Sequence, residues 1–522
     1  MNVHSYEYLF ICYTQKNSLS TVICAAIKQN KRAAIYATVF WHISIFVFEE
    51  AANTITRMTI TKQTWFRKYL YDDSRIDRSN LLFDNKALSK LLIPLMLEQL
   101  LNSFMGMADT VMVSNISSAA ISAVSLVDAI NVLIIQVFAA LATGGTIVCS
   151  QYIGRGDNKK ANKAAGQVVL IILILSLFIT SFGLIFCNPL LKLIFGKVEK
   201  DVMQASQRYF FITLFSFPFF SLFQAGSAFF RAGGNSRYPM LISAIGNGLN
   251  IAGNYVLIFI FHTGVDGAAL ATLISRVFCF AVIFISLRKN KQIIVLNSPS
   301  LLKPDFQLIK KVLTIGIPSG IENGLFQFGK LAIQSSVSTL TTAAIAAQAM
   351  TIIMEALNGI AGLGIGIGLM TVIGQTIGAG RKEEARYYLV KLTGLAFIAV
   401  FISCILVYFA AEPITVIAGM EEESKFLCLQ MVTVITIAKP IPWTLSFIPA
   451  YGLRAAGDVR FSMITGSITM WICRVAICIC LIRFFGFGPI AVWIGMITDW
   501  AVRAVAFTLR YLSGRWLGKQ II

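Results

Sequence analysis

From Leu88 onward the chain alternates long apolar runs with short polar turns. Twelve runs begin near Leu88, Ile121, Gly166, Tyr209, Met240, Ala268, Val312, Ala343, Tyr388, Phe426, Phe461 and Pro489. Each approaches the roughly 20 apolar residues that a helix needs to cross a bilayer. Segments of about ten residues with strict apolar–polar alternation, the mark of a membrane barrel, are absent. In hydrocarbon the backbone must satisfy its own hydrogen bonds, so the pattern predicts helices. The expected fold is an all-α polytopic membrane protein with twelve transmembrane helices.

The pattern is also duplicated. Ser150-Gln151-Tyr152-Ile153-Gly154-Arg155-Gly156 returns as Gly374-Gln375-Thr376-Ile377-Gly378-Ala379-Gly380, and Arg231-Ala232-Gly233-Gly234-Asn235-Ser236-Arg237 returns as Arg454-Ala455-Ala456-Gly457-Asp458-Val459-Arg460. Three landmarks recur at nearly one offset: Gln151 as Gln375, Pro94 as Pro318, and Arg231 as Arg454. Six helices per repeat is an even number, so both repeats enter from the same side and the repeat is parallel. The expected organisation is an N-terminal extension and basic leader at 1–87, an N-lobe of helices 1–6 at 88–287, a linker at 288–311 that lets the lobes rock, a C-lobe of helices 7–12 at 312–510, and a tail at 511–522.

Composition agrees with lipid as the main solvent: 57% of the 522 residues are hydrophobic and 13% charged, with a mean hydropathy of +0.74. The net charge of +19 raises the question of nucleic acid. The basic residues, however, fall in alternate loops. One set holds Arg155, Lys159, Lys160 and Lys163, then Arg231 and Arg237, then Arg288, Lys289, Lys291, Lys303, Lys310 and Lys311, then Arg381, Lys382, Arg386 and Lys391, then Arg454 and Arg460. The intervening loops hold chiefly Lys192, Lys197, Lys200 and Lys425. That asymmetry is the positive-inside rule at work. It places both ends of the twelve-helix core in the cytoplasm, and makes a multi-pass protein of the inner cell membrane, with lipid and not nucleic acid as its partner.

The stretch before Met58 stands apart. Residues 33–48 are apolar but short, and basic clusters flank both sides, which disfavours a spanning segment. No small-residue cleavage site follows, against a signal peptide. Two readings stand: an interfacial or unstructured extension, or translation that begins at Met58. The ten cysteines show neither metal-ligand clustering nor a disulfide framework, and His4, His42 and His262 have no second ligand near them in sequence, so no zinc site is expected. Gly362, Gly364, Gly366 and Gly368 follow no strand and read as close helix packing.

Ionisable residues in the apolar runs are functional candidates, because a charge at mid-helix costs about 2.5–3.5 kcal/mol to insert. Glu98, Asp109, Asp128, Lys330, Glu355 and Lys439 qualify. Glu98 and Asp109 are about three helical turns apart, so they share one face of the first helix. Asn247, Asn250 and Asn254 share a face of the fifth, and amide oxygens beside a carboxylate suit a hard cation such as Na⁺. For Asn247 a helix-to-helix hydrogen bond is the better reading. Glu322, one turn after Pro318, matches Glu98 after Pro94, and the two acids facing across the repeat would make anionic walls for a cationic substrate; Lys330, two turns on, is a candidate to neutralise Glu322. Phe104, Met105, Met107, Phe326 and Phe328 could line an adaptable apolar surface. Substrate-binding candidates are therefore Glu98, Glu322, Phe326 and Met105.

With these residues named, the stretch from 88 to about 510 resembles the multidrug and toxic compound extrusion (MATE) family of cation-coupled antiporters. The resemblance rests on Pro94 with Asp109-Thr110, Ser150-Gln151 with Gly154 and Gly156, Arg231-Ala232-Gly233-Gly234, and Asn250-Ile251-Ala252-Gly253-Asn254-Tyr255, in that order. It implies two six-helix lobes that alternate access, with Na⁺ or H⁺ entering as a small organic cation or drug leaves. It also implies a cation site at Asp109, Asn250 and Asn254, joined by Thr272. Asn254, where some proton-coupled relatives carry Asp, leans the reading toward Na⁺. The C-lobe departs from the family: Phe326 stands where some members have a seventh-helix Glu, and Lys439 with Pro440 replaces a tenth-helix Asp. No cofactor beyond the coupling ion, no other metal and no catalytic residue is expected, and the chain is expected to be a monomer. The alternatives are a lipid or polysaccharide exporter of the same superfamily, whose cavity should be more basic, and a polytopic membrane enzyme, for which no nucleophile with a base appears.

Overall fold

The computed structural model describes residues 70–522 apart from 197, 290, 291 and 520. The expectations for residues 33–48 and for Met58 lie outside the described residues. Ser74–Ile522 forms one compact unit. Its rods are α1 (Asn85–Ser114), α2 (Ser118–Gly154), α3 (Asn158–Phe195), α4 (Lys200–Ala232), α5 (Arg237–Ile260), α6 (Val265–Leu287), α7 (Phe306–Val337), α8 (Thr342–Gly378), α9 (Lys382–Ile417), α10 (Glu422–Ala438 and Pro440–Ala455), α11 (Val459–Phe485) and α12 (Ile490–Leu512). Ten are each long and apolar enough to span a membrane, and α10, bent by 62° at its break, makes an eleventh. The twelfth rod, α7, has 32 residues but carries Lys310, Lys311, Glu322 and Lys330, so composition alone does not mark it as a span.

Equivalent helices start and stop by the same local chemistry. The Ser117 hydroxyl caps α2 by accepting from Ala120 N at 3.0 Å, and Thr341, its counterpart in the second repeat, caps α8 from Ala344 N at 3.2 Å. The turns that follow α2 and α8 need a left-handed residue, supplied by Gly156 (φ +80°) and Gly380 (φ +77°). Helix α7 begins at Phe306, inside the stretch 288–311 expected as linker, because the Asp305 carboxylate accepts from the N–H groups of Gln307 and Leu308. The part of that linker before α7 is docked and does not hang free. Gln167 of α3 donates to the carbonyls of Leu301 and Lys303, both at 2.9 Å, and accepts from Asp305 N at 2.9 Å. The segment entering α1 is held in the mirrored way by α9: Phe83 N donates to Tyr388 Oη at 2.8 Å and Leu82 N to Glu384 Oε1 at 2.6 Å.

The two halves meet at the end that carries the basic loops. There α2 and α8 cross so closely that a Cβ on Gly154 would strike the Gln375 carbonyl, and one on Gly378 the Gln151 carbonyl. Two reciprocal hydrogen bonds fasten the crossing: Gln151 Nε2 donates to Ala455 O at 2.8 Å, and Gln375 Nε2 to Ala232 O at 2.7 Å. The α8 glycines divide between two neighbours. Gly364 and Gly368 face Met96 and Leu92 of α1, while Gly362 and Gly366 face Trp443 and Tyr451 of α10, which is the close packing expected of them. Toward the other end the apolar packing separates into one cluster drawn from residues 113–269 and another drawn from 333–493. The halves thus join at the basic end and part beyond it, leaving a cleft between them.

Candidate functional site

In the N half, α1 brings Asp109 to α5 and α6. Asn254 Nδ2 donates to Asp109 Oδ1 at 2.7 Å. Asn250, with its amide turned so that the oxygen faces Thr272, donates to the same Oδ1 at 2.9 Å and accepts from Thr272 Oγ1 at 3.1 Å. Asn250 and Asn254 are buried; Asp109 and Thr272 are half-buried. The four residues named for this site from sequence therefore form one cluster. Beyond Asn254 the helix widens into a π segment, Tyr255–Ile260, a feature frequent at functional sites. Asn247 turns instead to α1, donating to Asn102 Oδ1 at 3.3 Å. Asp128 of α2 is exposed and accepts from Asn131 Nδ2 at 3.1 Å.

Arg276 of α6 belongs to the same chamber. Its guanidinium donates to Ser216 Oγ at 2.7 Å and stacks 4.7 Å above the Phe220 ring, within electrostatic reach of both Asp109 and Asp128. The rule that flags Asp109, a charge inside an apolar run, applies equally to Arg276.

The remaining candidates distribute differently. Glu98 is buried and pairs with Arg231 at 3.7 Å; Glu322 is buried and pairs with Arg454 at 2.7 Å. Arg231 and Arg454 point inward because each meets a carboxylate of another helix. Each acid is thus answered within its own half, and Lys330 is not the neutralising partner of Glu322. Met105 is half-buried on α1. Phe326 packs against the C-half apolar cluster and carries two cations: Lys330 Nζ lies 5.1 Å from its ring centre and the Arg474 guanidinium 5.1 Å.

The C half has its own ionic interior. Lys439, fully buried at the α10 break, donates to Glu355 Oε1 at 2.5 Å and Glu355 O at 2.7 Å. Asp499 of α12 forms an ion pair with Arg474 at 2.7 Å and accepts a hydrogen bond from Arg503 at 3.1 Å. Arg474, Asp499 and Arg503 are also charges within apolar runs. Among the described residues no group of three or more His, Cys, Asp or Glu side chains is placed to hold a metal ion.

Comparison with known proteins bears on what such a site serves. The MatE family model matches residues 94–256 and again 318–480, one match in each repeat. A probable multidrug resistance protein NorM of Thermotoga maritima is 27% identical over 444 residues, covering 84% of this chain and 94% of its own length. An uncharacterized transporter, YisQ, of Bacillus subtilis is 28% identical over 446 residues, covering 83% and 95%. Among solved structures, a MOP superfamily transporter from Pyrococcus furiosus, described as having a binding pocket of reverse polarity that suggests a different function, superposes with a TM-score of 0.77 at 20% identity. It covers 88% of this chain and all of that one. A Vibrio cholerae MATE transporter superposes with a TM-score of 0.76 at 20% identity, covering 82% and 96%.

Proposed function

The chain belongs to the MatE family of multi-pass membrane transporters, and from that membership we infer that it is a cation-coupled antiporter which expels small organic cations or drugs by alternating access. The observation that carries this reading is the cluster of Asp109, Asn250, Asn254 and Thr272 in the N half. An amide can serve a carboxylate in two ways. Without a cation, the Asn250 and Asn254 N–H groups stabilise the bare Asp109 oxygen. Turned about the last torsion, the same amides present oxygens to Na⁺ beside the carboxylate. Asn254 Oδ1 is buried without a donor among the described residues, an acceptor suited to that purpose. Protonation of Asp109 would neutralise the cluster in the same place, so H⁺ is the competing coupling ion. Either way, loading the site removes the negative charge that attracts an organic cation, and exchange follows.

The junction at the basic end supports alternating access, since two reciprocal amide–carbonyl bonds are few enough to break and re-form. With the basic loops in the cytoplasm of the inner membrane, the cleft faces outward in this conformation. Cations moving inward would gain about 2.3 kcal/mol per charge per 100 mV of membrane potential. The related proteins are named as transporters, and the reading assigns no catalytic residue and a monomer as the working unit. A lipid or polysaccharide exporter draws support from one observation, the surplus of interior cations in the C half.

The test is ethidium efflux from vesicles reconstituted with the full chain, driven separately by a Na⁺ gradient and by a pH gradient. Efflux under one gradient, lost in Asp109→Asn, is the expected result. Efflux under neither gradient from folded protein would overturn the antiporter reading.

A further inference from the structure

We propose that the C half holds an acidic group of the transported molecule, a carboxylate, sulfonate or phosphate borne on an apolar or aromatic body, at Lys330, Phe326 and Arg474. The proposal rests on the transporter reading but not on the coupling ion.

The interior charges of the C half do not balance. Lys439 takes Glu355, while Arg474 and Arg503 share Asp499. Glu322 is taken by Arg454. Among the described residues Lys330 has no carboxylate within salt-bridge distance; its recorded contact is the Phe326 ring, whose other cation is Arg474. Two cations on one ring repel each other, and in a low-dielectric interior that repulsion is weakly screened. Glu355, already held by Lys439, lies within electrostatic reach of both, so the cations outnumber the carboxylates they share; an anion beside Lys330 reduces that surplus, and the ring supplies an apolar platform for its body.

Lys330 also faces the right way. Two turns before it on the same side of α7, Asn323 donates to Gln136 of α2, in the other half, at 3.2 Å. The lipid-side stripe of α7, with Ile317, Ile321, Phe328 and Leu331 all about half exposed, lies roughly 140° round the helix from Lys330. Lys330 is nevertheless exposed, so its side chain opens onto the cleft and not onto lipid. Depth agrees with this placement. Counted from Phe306, Lys330 stands as far along α7 as Asp109 stands along α1 counted from Asn85. The two halves therefore present opposite charges at one level of the cleft, and a molecule that satisfies both carries an acidic group as well as a basic one.

The test uses the full chain in nanodiscs of phosphatidylcholine, with fluorescence anisotropy of 1-pyrenebutyrate and of its uncharged methyl ester as probes. The acid is expected to bind about tenfold more tightly than the ester, the scale of one charge-assisted contact. Lys330→Gln should erase that preference, and Lys330→Arg should keep it, which separates charge from mere folding. Equal binding of acid and ester by the unmodified chain, or a preference that survives in Lys330→Gln, would overturn the proposal. Adding phosphatidylglycerol to the discs distinguishes the source of the acid: displacement of pyrenebutyrate identifies a lipid headgroup, and retention identifies a free organic anion. Asp109→Asn should lose ethidium efflux while keeping the acid preference, so failure of the antiporter reading and failure of this one are seen separately.

Discussion

Glu98 and Glu322 show what a residue's position alone conveys. Both are spaced identically after a proline, and both lie in apolar runs, which makes them candidates for contact with a charged substrate. The structure answers each with an arginine from the end of another helix distant in sequence, Arg231 or Arg454. Long-range pairing of this kind leaves no local signal in sequence. Removing one member of a buried pair leaves a stranded charge, so Arg454→Met should cost about 3 kcal/mol, read as a lower midpoint in denaturant unfolding of the purified protein. Glu322→Gln added to that variant should restore most of the loss. The Asp109 cluster was far more legible: charge and helical spacing within single apolar runs mark Asp109, Asn250 and Asn254 as candidates, and the family resemblance implied their meeting in one site with Thr272.

Among elements, the helix order and the caps follow from the apolar runs and from Ser, Thr and Asp placed just before them. The break in α10 and the π segments of α5 and α11 do not, because they depend on which neighbour each turn packs against. The α1–α8 contact shows how narrow those requirements are. A Cβ at Gly364 would lie 2.8 Å from Met96 Cα, so Gly364→Ala must push the helices apart. It should destabilise the fold by about 1–3 kcal/mol. Gly324, with nothing within 4 Å of its Cβ position, is the control, and Gly324→Ala should be neutral or slightly stabilising in the same unfolding assay. The linker anchor can be tested by pH. Asp305 is held below the usual carboxylate range, first by its hydrogen bond from Lys163 and then by the backbone N–H of Leu308. A depressed value means that the anchor is fully present above the ordinary carboxylate range and is lost as pH falls through the lowered one. Hydrogen exchange at residues 298–305 should therefore remain slow near pH ~5 and increase only in stronger acid, beyond the intrinsic pH trend.

The molecule as a whole is built on cross-ties between its repeats. Gln151 and Gln375 reach reciprocally across the junction, and each half grips the segment that enters the first helix of the other. Replacing both glutamines by alanine removes two hydrogen bonds, each contributing about 1 kcal/mol, and should shift the balance of open and closed forms roughly thirtyfold toward opening at the basic end. Spin labels on α2 and α8 near that end should then report longer distances by pulsed electron resonance; unchanged distances would remove these bonds from the closing mechanism. The duplication was readable from motif offsets. The crossing of ties between repeats was not, because a repeated motif reveals its own recurrence and not the partner it will choose.

Those cross-ties also bear on how the chain is made. Gln151 finds its partner, Ala455, and Phe83 finds Tyr388, each in the later repeat. While a ribosome is still producing the second repeat, the first sits in the membrane with its entry segment and its closing glutamine unanswered. Until helices α9 and α10 have been inserted neither tie can form, so the closed junction of the N half is a late event of biogenesis that must wait for the second repeat.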